Sequence, residues 1–222
     1  MAVRTTRMVL SATVPVVAAL LLAIILKPHR SEPNRDSGLL RFQRFESGDI
    51  IFQISVSAQS KAIQEATHSR YSHMGIIFRE GREYFVYEAV QPVKITGLSE
   101  WIRRGEDGHY VVKRLKNPIT LAPEDIRKLK ATAGKYLNRD YDSYFGWTND
   151  KIYCSELVWK VYQEGLGIRL GEPQQLQDFD LSSSEVKREL KERYGDNIPL
   201  TEKVISPARI FDSEKLVEVA VR

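Results

Sequence analysis

Two short apolar runs, each interrupted by an ionisable residue, limit what this chain can fold into more than any other feature. HMGIIF at 73–78 and YFVYEAV at 84–90 flank Glu80-Gly81, which is the pattern of a β-hairpin. His73 heads the first run and Glu88 sits inside the second, where a charged or wet side chain needs a reason. With Glu80-Gly81 as a two-residue turn, the register puts His73 directly opposite Glu88 on one face. A three-residue loop would shift the register and separate them unless a bulge compensated; the alternative for Glu88 is an exposed edge-strand residue.

Further strands are predicted at Ile50–Ile54, around Val93–Ile95 and at Tyr110–Leu115. Helices are predicted at Ser57–Glu65, from a Ser99 cap through Arg103, from Pro123 to about Leu137, from Tyr153 to Glu164 with Gly165 as terminator, and at 184–194. An apolar tail follows from Ile205. The class is α+β with a central antiparallel sheet.

The single cysteine lies in YCSELVWKVY. Cys154, Leu157, Val158, Val161 and Tyr162 recur at helical spacing, so the thiol belongs to the core-facing stripe of a first turn. A buried free cysteine often does no more than pack. The same position also suits a nucleophile, because unpaired N–H groups and the positive helix end stabilise thiolate and could stabilise an oxyanion. Such a thiol needs a base, and the chain has four histidines. His29 lies in a polar segment near the N-terminus, His68 in the polar stretch THSRYS, and His109 after a glycine-containing turn. His73 is the best candidate, with Glu88 to hold its ring and stabilise its cation.

These residues resemble the YiiX/YebB-type circularly permuted papain-like enzymes, relatives of NlpC-type cell-wall peptidases and of lecithin retinol acyltransferase. The resemblance spans about Leu39 to Val219. It rests on SGDIIF at 47–52, YSHMGIIF at 71–78, YEAV at 87–90, YD at 141–142 and YCSELVW at 153–159, with the histidine preceding the cysteine. It implies a permuted papain-like (NlpC-type) fold whose nucleophile helix follows the sheet, and a Cys154, His73, Glu88 triad. It also implies that Tyr141 is the extra tyrosine near the oxyanion, and that an aromatic wall of Tyr144, Phe145, Trp147 and Tyr153 lines a substrate pocket.

Residues 1–30 contain Arg4, Arg7, Lys27 and Arg30 and no acid, and they account for the whole net charge of +4; the remainder is balanced at 29 basic and 29 acidic residues. That balance gives no electrostatic case for nucleic acid. Met8–Leu26 is an uncharged, mainly apolar run long enough to span a bilayer, so 1–27 is expected to be a membrane anchor, 28–38 a tether and 39–222 the catalytic domain. The catalytic domain is expected to be extracytoplasmic. A cleaved signal peptide, giving a secreted or periplasmic protein, is the rival, but no small-x-small site precedes Lys27.

The expected activity is thiol acyl chemistry on a peptide, lipid acyl or other small-molecule substrate of the cell envelope, by hydrolysis or transfer. The alternative is a non-catalytic envelope binding module with a structural cysteine. No cofactor and no metal are expected: Cys154, His73 and Glu88 could ligate zinc, but no paired spacing such as C-x-x-C exists. No feature of the sequence sets an oligomeric state.

Overall fold

The computed structural model describes residues 45–116, 119–148 and 150–222. The expected anchor, the tether and the first residues of the catalytic domain lie outside them. Among the described residues no helix is long and apolar enough to cross a membrane.

The centre is a six-stranded antiparallel sheet. It is built from β1 (Ile50–Gln53), β2 (His73–Glu80), β3 (Glu83–Glu88), β4 (Lys94–Gly97), β5 (Val111–Leu115) and β10 (Leu216–Val221), in the order β10-β5-β1-β2-β3-β4. β1 and the first six residues of β2 are buried throughout, with Gln53 and His73 buried beside their apolar neighbours. Alternation divides them between two layers. Ile50, Phe52, Met74, Ile76 and Phe78 face one way, and Ile51 and Ile77 face the other.

The helices are α1 (Ser60–Thr67), α2 (Leu98–Arg104), α3 (Pro123–Gly134), α4 (Cys154–Leu166), α5 (Ser184–Tyr194) and α6 (Pro207–Phe211). Leu157, Val158 and Val161 of α4 pack with Leu129 and Ala133 of α3 in the first layer. Leu98, Trp101 and Ile102 of α2 close the second with Phe45, Tyr84 and Tyr110. Two further pairings are short: β6 (Asp140–Tyr141) runs parallel to β7 (Lys151–Ile152), and β8 (Gln174–Gln175) antiparallel to β9 (Lys203–Val204).

The SGD motif before β1 is structural. Gly48 takes φ +93°, and a Cβ there would lie 2.5 Å from Leu121 Cδ1. Buried Asp49 accepts two bonds from Arg114, at 2.7 and 2.9 Å, and caps the Glu46 amide at 2.8 Å.

Several boundaries differ from the sequence reading. The hairpin turn is Gly81-Arg82, because Glu80 pairs with Glu83 and Gly81 supplies the positive φ of +62°. The α2 cap is Gly97 rather than Ser99. α3 stops at Gly134, three residues early. α4 runs past Gly165, which sits against Leu129 and Thr132, and ends at Gly167 in the left-handed conformation. The apolar tail divides into α6 and the edge strand β10.

Candidate active site

α4 begins where Tyr153, in extended conformation, serves as N-cap, so Cys154 is the first helical residue and its thiol sits among first-turn amides. The Tyr153 ring is fixed from two sides. Its hydroxyl accepts from the Ile205 amide at 3.0 Å, and Phe145 meets it edge-on at 5.2 Å.

His73 opens β2, opposite Gln53 of β1. Its ring lies nearly parallel to the buried indole of Trp101, with centroids 5.8 Å apart. Nε2 is 2.7 Å from Glu88 Oε2, and the imidazole is also hydrogen-bonded to Cys154. Since Nε2 is occupied, Nδ1 is the nitrogen left for the thiol. Burial alone would lower the affinity of His73 for a proton. The bonds to Cys154 and Glu88 outweigh it and raise its pKa to about 9.

Glu88 is fully buried at the end of β3. Oε1 accepts from Thr96 Oγ1 at 2.6 Å, and Oε2 also accepts from the Arg104 guanidinium. Burial pushes this carboxyl up, but the His73, Arg104 and Thr96 contacts prevail and hold it down at about 2. The expected direct pairing with His73 is therefore corrected: Glu88 pairs with Lys94 of β4, and the Gly81-Arg82 turn sets it diagonally across from His73. Gly75 occupies the intervening place, where a Cβ would lie 2.4 Å from Val86 Cγ1 and 2.8 Å from the Tyr87 carbonyl.

Tyr141 reaches the site through β6, whose partner β7 leads directly into α4. Arg193 donates to Gln59 Oε1 at 3.0 Å, which orients the Gln59 amide so that Nε2 donates to the Tyr141 hydroxyl at 2.8 Å. That leaves the phenolic proton for another acceptor. Burial, followed by charge on Cys154, raises the Tyr141 pKa well above the usual phenol range, so the hydroxyl keeps its proton.

An apolar cleft of about 690 Å³, its open mouth included, adjoins Cys154 and Tyr141. Ala62, Ile63, Phe179, Leu181, Leu190 and Ile205 supply most of its wall.

The matching residues span nearly all of the folded part. Residues 44–220 match the family described as permuted papain-like amidase enzyme, YaeF/YiiX, C92 family. The chain belongs to the permuted papain-like amidases. It is 54% identical over 175 residues to the uncharacterized protein YiiX of Escherichia coli strain K12, covering 79% of this chain and 86% of that one. It also matches the crystal structure of metalloprotein yiiX from Escherichia coli O157:H7, at 53% identity and a TM-score of 0.78, over 81% of this chain and 98% of that one. A permuted papain-like amidase is a cysteine hydrolase, and the helix bearing the one cysteine of this chain follows the sheet strand bearing His73.

Within this permuted papain-like amidase, the four aromatic residues expected to form one wall divide. Phe145 and Tyr153 line the cleft. Tyr144 is half exposed against Tyr194, and Trp147 packs edge-on against Trp159 at 5.3 Å. The sequence reading overlooked Thr96, Trp101, Arg104 and Gln59. Only Thr96 left a trace, as a hydroxyl that alternates inward on a short strand; the others depend on how loops and α2 fold over the sheet.

Proposed function

We propose that this protein is a cysteine amidase in which Cys154 attacks the carbonyl carbon of an acylated amine. His73 accepts the thiol proton through Nδ1, and the carbonyl becomes a tetrahedral oxyanion. The first-turn amides of α4 and the free proton of Tyr141 stabilise that oxyanion. Collapse breaks the C–N bond as His73 gives its proton to the departing amine, leaving an acyl thioester on Cys154. Water, deprotonated by His73, then attacks the thioester, releases the carboxylic acid and restores the thiol. Glu88 fixes the ring orientation and offsets the imidazolium charge, as its place on Nε2 suits. With its pKa raised to about 9, His73 retains at neutral pH the proton it takes from the thiol until it hands that proton to the amine.

The observation that carries this reading is the Cys154, His73, Glu88 chain of hydrogen bonds at the mouth of an apolar cleft. The cleft favours an acyl group with a substantial hydrocarbon part, because burying each methylene is worth about 0.8 kcal/mol. The apolar run Met8–Leu26 favours a substrate of the cell envelope, with the catalytic domain outside the cytoplasm. The relative from strain O157:H7 is described as a metalloprotein. In this chain Cys154 and Glu88 bind opposite nitrogens of one imidazole, so the three donors diverge rather than enclose an ion, and Arg104 occupies Glu88. The residues do not fit a shared metal.

The test is intact mass spectrometry of the full chain mixed with N-acyl amides of increasing chain length. We expect a transient acyl adduct on Cys154, faster turnover with longer acyl groups, and neither in Cys154→Ala. Turnover that survives in Cys154→Ala overturns the assignment. Added amines or alcohols that intercept the adduct would mark acyl transfer instead of hydrolysis. Iodoacetamide should alkylate wild-type protein at least about tenfold faster than His73→Ala at pH 7, and equal rates would leave Cys154 a packing residue.

A further inference from the structure

A second cleft, about 800 Å³ with its mouth, opens on the other side of the catalytic pair. His73 lines this one, Cys154 lines the apolar one, and Gln59 and Tyr141 line both. The two clefts thus meet at the reacting atoms, and the second adds a guanidinium and several amide and hydroxyl side chains to walls that Val56, Ala89 and Val90 keep partly apolar. The second is edged by Gln53, Ser55, Ser57, Gln91 and Arg104, and none of its lining residues is a carboxylate.

Arg104 stands out among them. A guanidinium carries five N–H donors, and its recorded partner among the described residues is Glu88, through Nη2. About a third of its side chain is exposed, and it borders the cleft. Gln53, beside His73, is 1% exposed, and its side-chain oxygen has no hydrogen-bond partner among the described residues. A guanidinium with donors to spare suits a carboxylate, and an unfilled acceptor oxygen beside His73 suits the N–H of an amine or amide.

We propose that this cleft holds the amine half of the substrate and that this half carries a free carboxylate, received by Arg104. The substrate class is then an N-acyl amino acid or an acylated peptide with its carboxylate near the scissile amide. The inference rests on the cysteine amidase reading, because it is His73, on this side, that protonates the departing amine. Arg104 acquires two duties: one Nη2 contact keeps Glu88 in place, and the remaining donors select the leaving group.

The experiment compares N-dodecanoylglycine with N-dodecanoylglycinamide, which differ only in the charge, on full-length wild type, Arg104→Lys and Arg104→Gln. We expect wild type to favour the carboxylate by about tenfold or more in kcat/KM, with Arg104→Lys keeping part of the preference and Arg104→Gln losing it. If Arg104 serves only to hold Glu88, both substrates slow by the same factor in Arg104→Gln and the preference is unchanged, which overturns the proposal. Equal wild-type rates of acyl-enzyme formation from the two substrates overturn it as well, while leaving the amidase reading intact. No acyl-enzyme from either substrate defeats both.

Discussion

His73 and Glu88 lie on adjacent strands but not opposite one another: Glu88 sits one diagonal step away and still reaches Nε2 at 2.7 Å. Diagonal neighbours on a sheet face lie within reach of long side chains, and the glycine at position 75 removes the side chain that would stand between them.

Gly75→Ala should therefore act at a distance from the thiol. The added methyl must displace Val86 or the Tyr87 carbonyl, at a cost of about 1–3 kcal/mol typical of overpacking. Denaturant melts should show that loss, and turnover should fall further than stability alone explains because Glu88 moves with β3.

Glu88→Gln should slow turnover by at least about tenfold, since a neutral amide no longer offsets the imidazolium. It should also lower the melting temperature, because Arg104 loses its counter-charge. Adding Arg104→Gln should recover part of the melting temperature and none of the rate. Thermal melts and steady-state rates on the same preparations check both.

The pair sets a pH window for stability. The pKa of His73 is raised from 6.5 to about 9 by folding, so its contribution is complete below pH 6.5 and disappears as pH rises through about 9. That of Glu88 is lowered from 4.5 to about 2, so its contribution is complete above pH 4.5 and is lost as pH falls through about 2. The stability difference between wild type and His73→Ala should be greatest between pH 4.5 and 6.5, as urea melts across pH would reveal. A difference that grows toward pH 10 would contradict these shifts.

Tyr141→Phe removes one donor to the developing oxyanion while leaving the ring in place. We expect kcat to drop about 10²-fold or more, with KM nearly unchanged. A change confined to KM would assign Tyr141 to substrate binding instead.

Why the His73–Glu88 contact could be foreseen with the wrong register is instructive. Placing the turn at Gly81-Arg82 instead of Glu80-Gly81 moves every partner by two residues, and a two-residue shift preserves the face of the sheet. Parity was legible because an acid and an imidazole inside apolar runs are costly unless they meet. Register was not, since it turns on which residue beside Gly81 completes a two-residue loop. The Cys154 stripe was legible from helical spacing, whereas the end of α4 was misplaced because Gly165 and Gly167 look alike in sequence and only packing against Leu129 and Thr132 distinguishes them. Arg104 and Gln59 reach the site from elements whose placement depends on the whole sheet, so no local pattern announces them.

The permuted order of the chain also governs the timing of its synthesis. Translation delivers His73, Glu88, Arg104 and Tyr141 before Cys154, and the edge strand β10 last of all. A nascent chain therefore holds the base, its carboxylate and the phenol before it possesses a thiol, and when the thiol does emerge from the ribosome its partners have already been made. Reactivity is withheld until α4 has followed the sheet strands that hold its partners, and the six-stranded sheet cannot be complete until β10 has emerged.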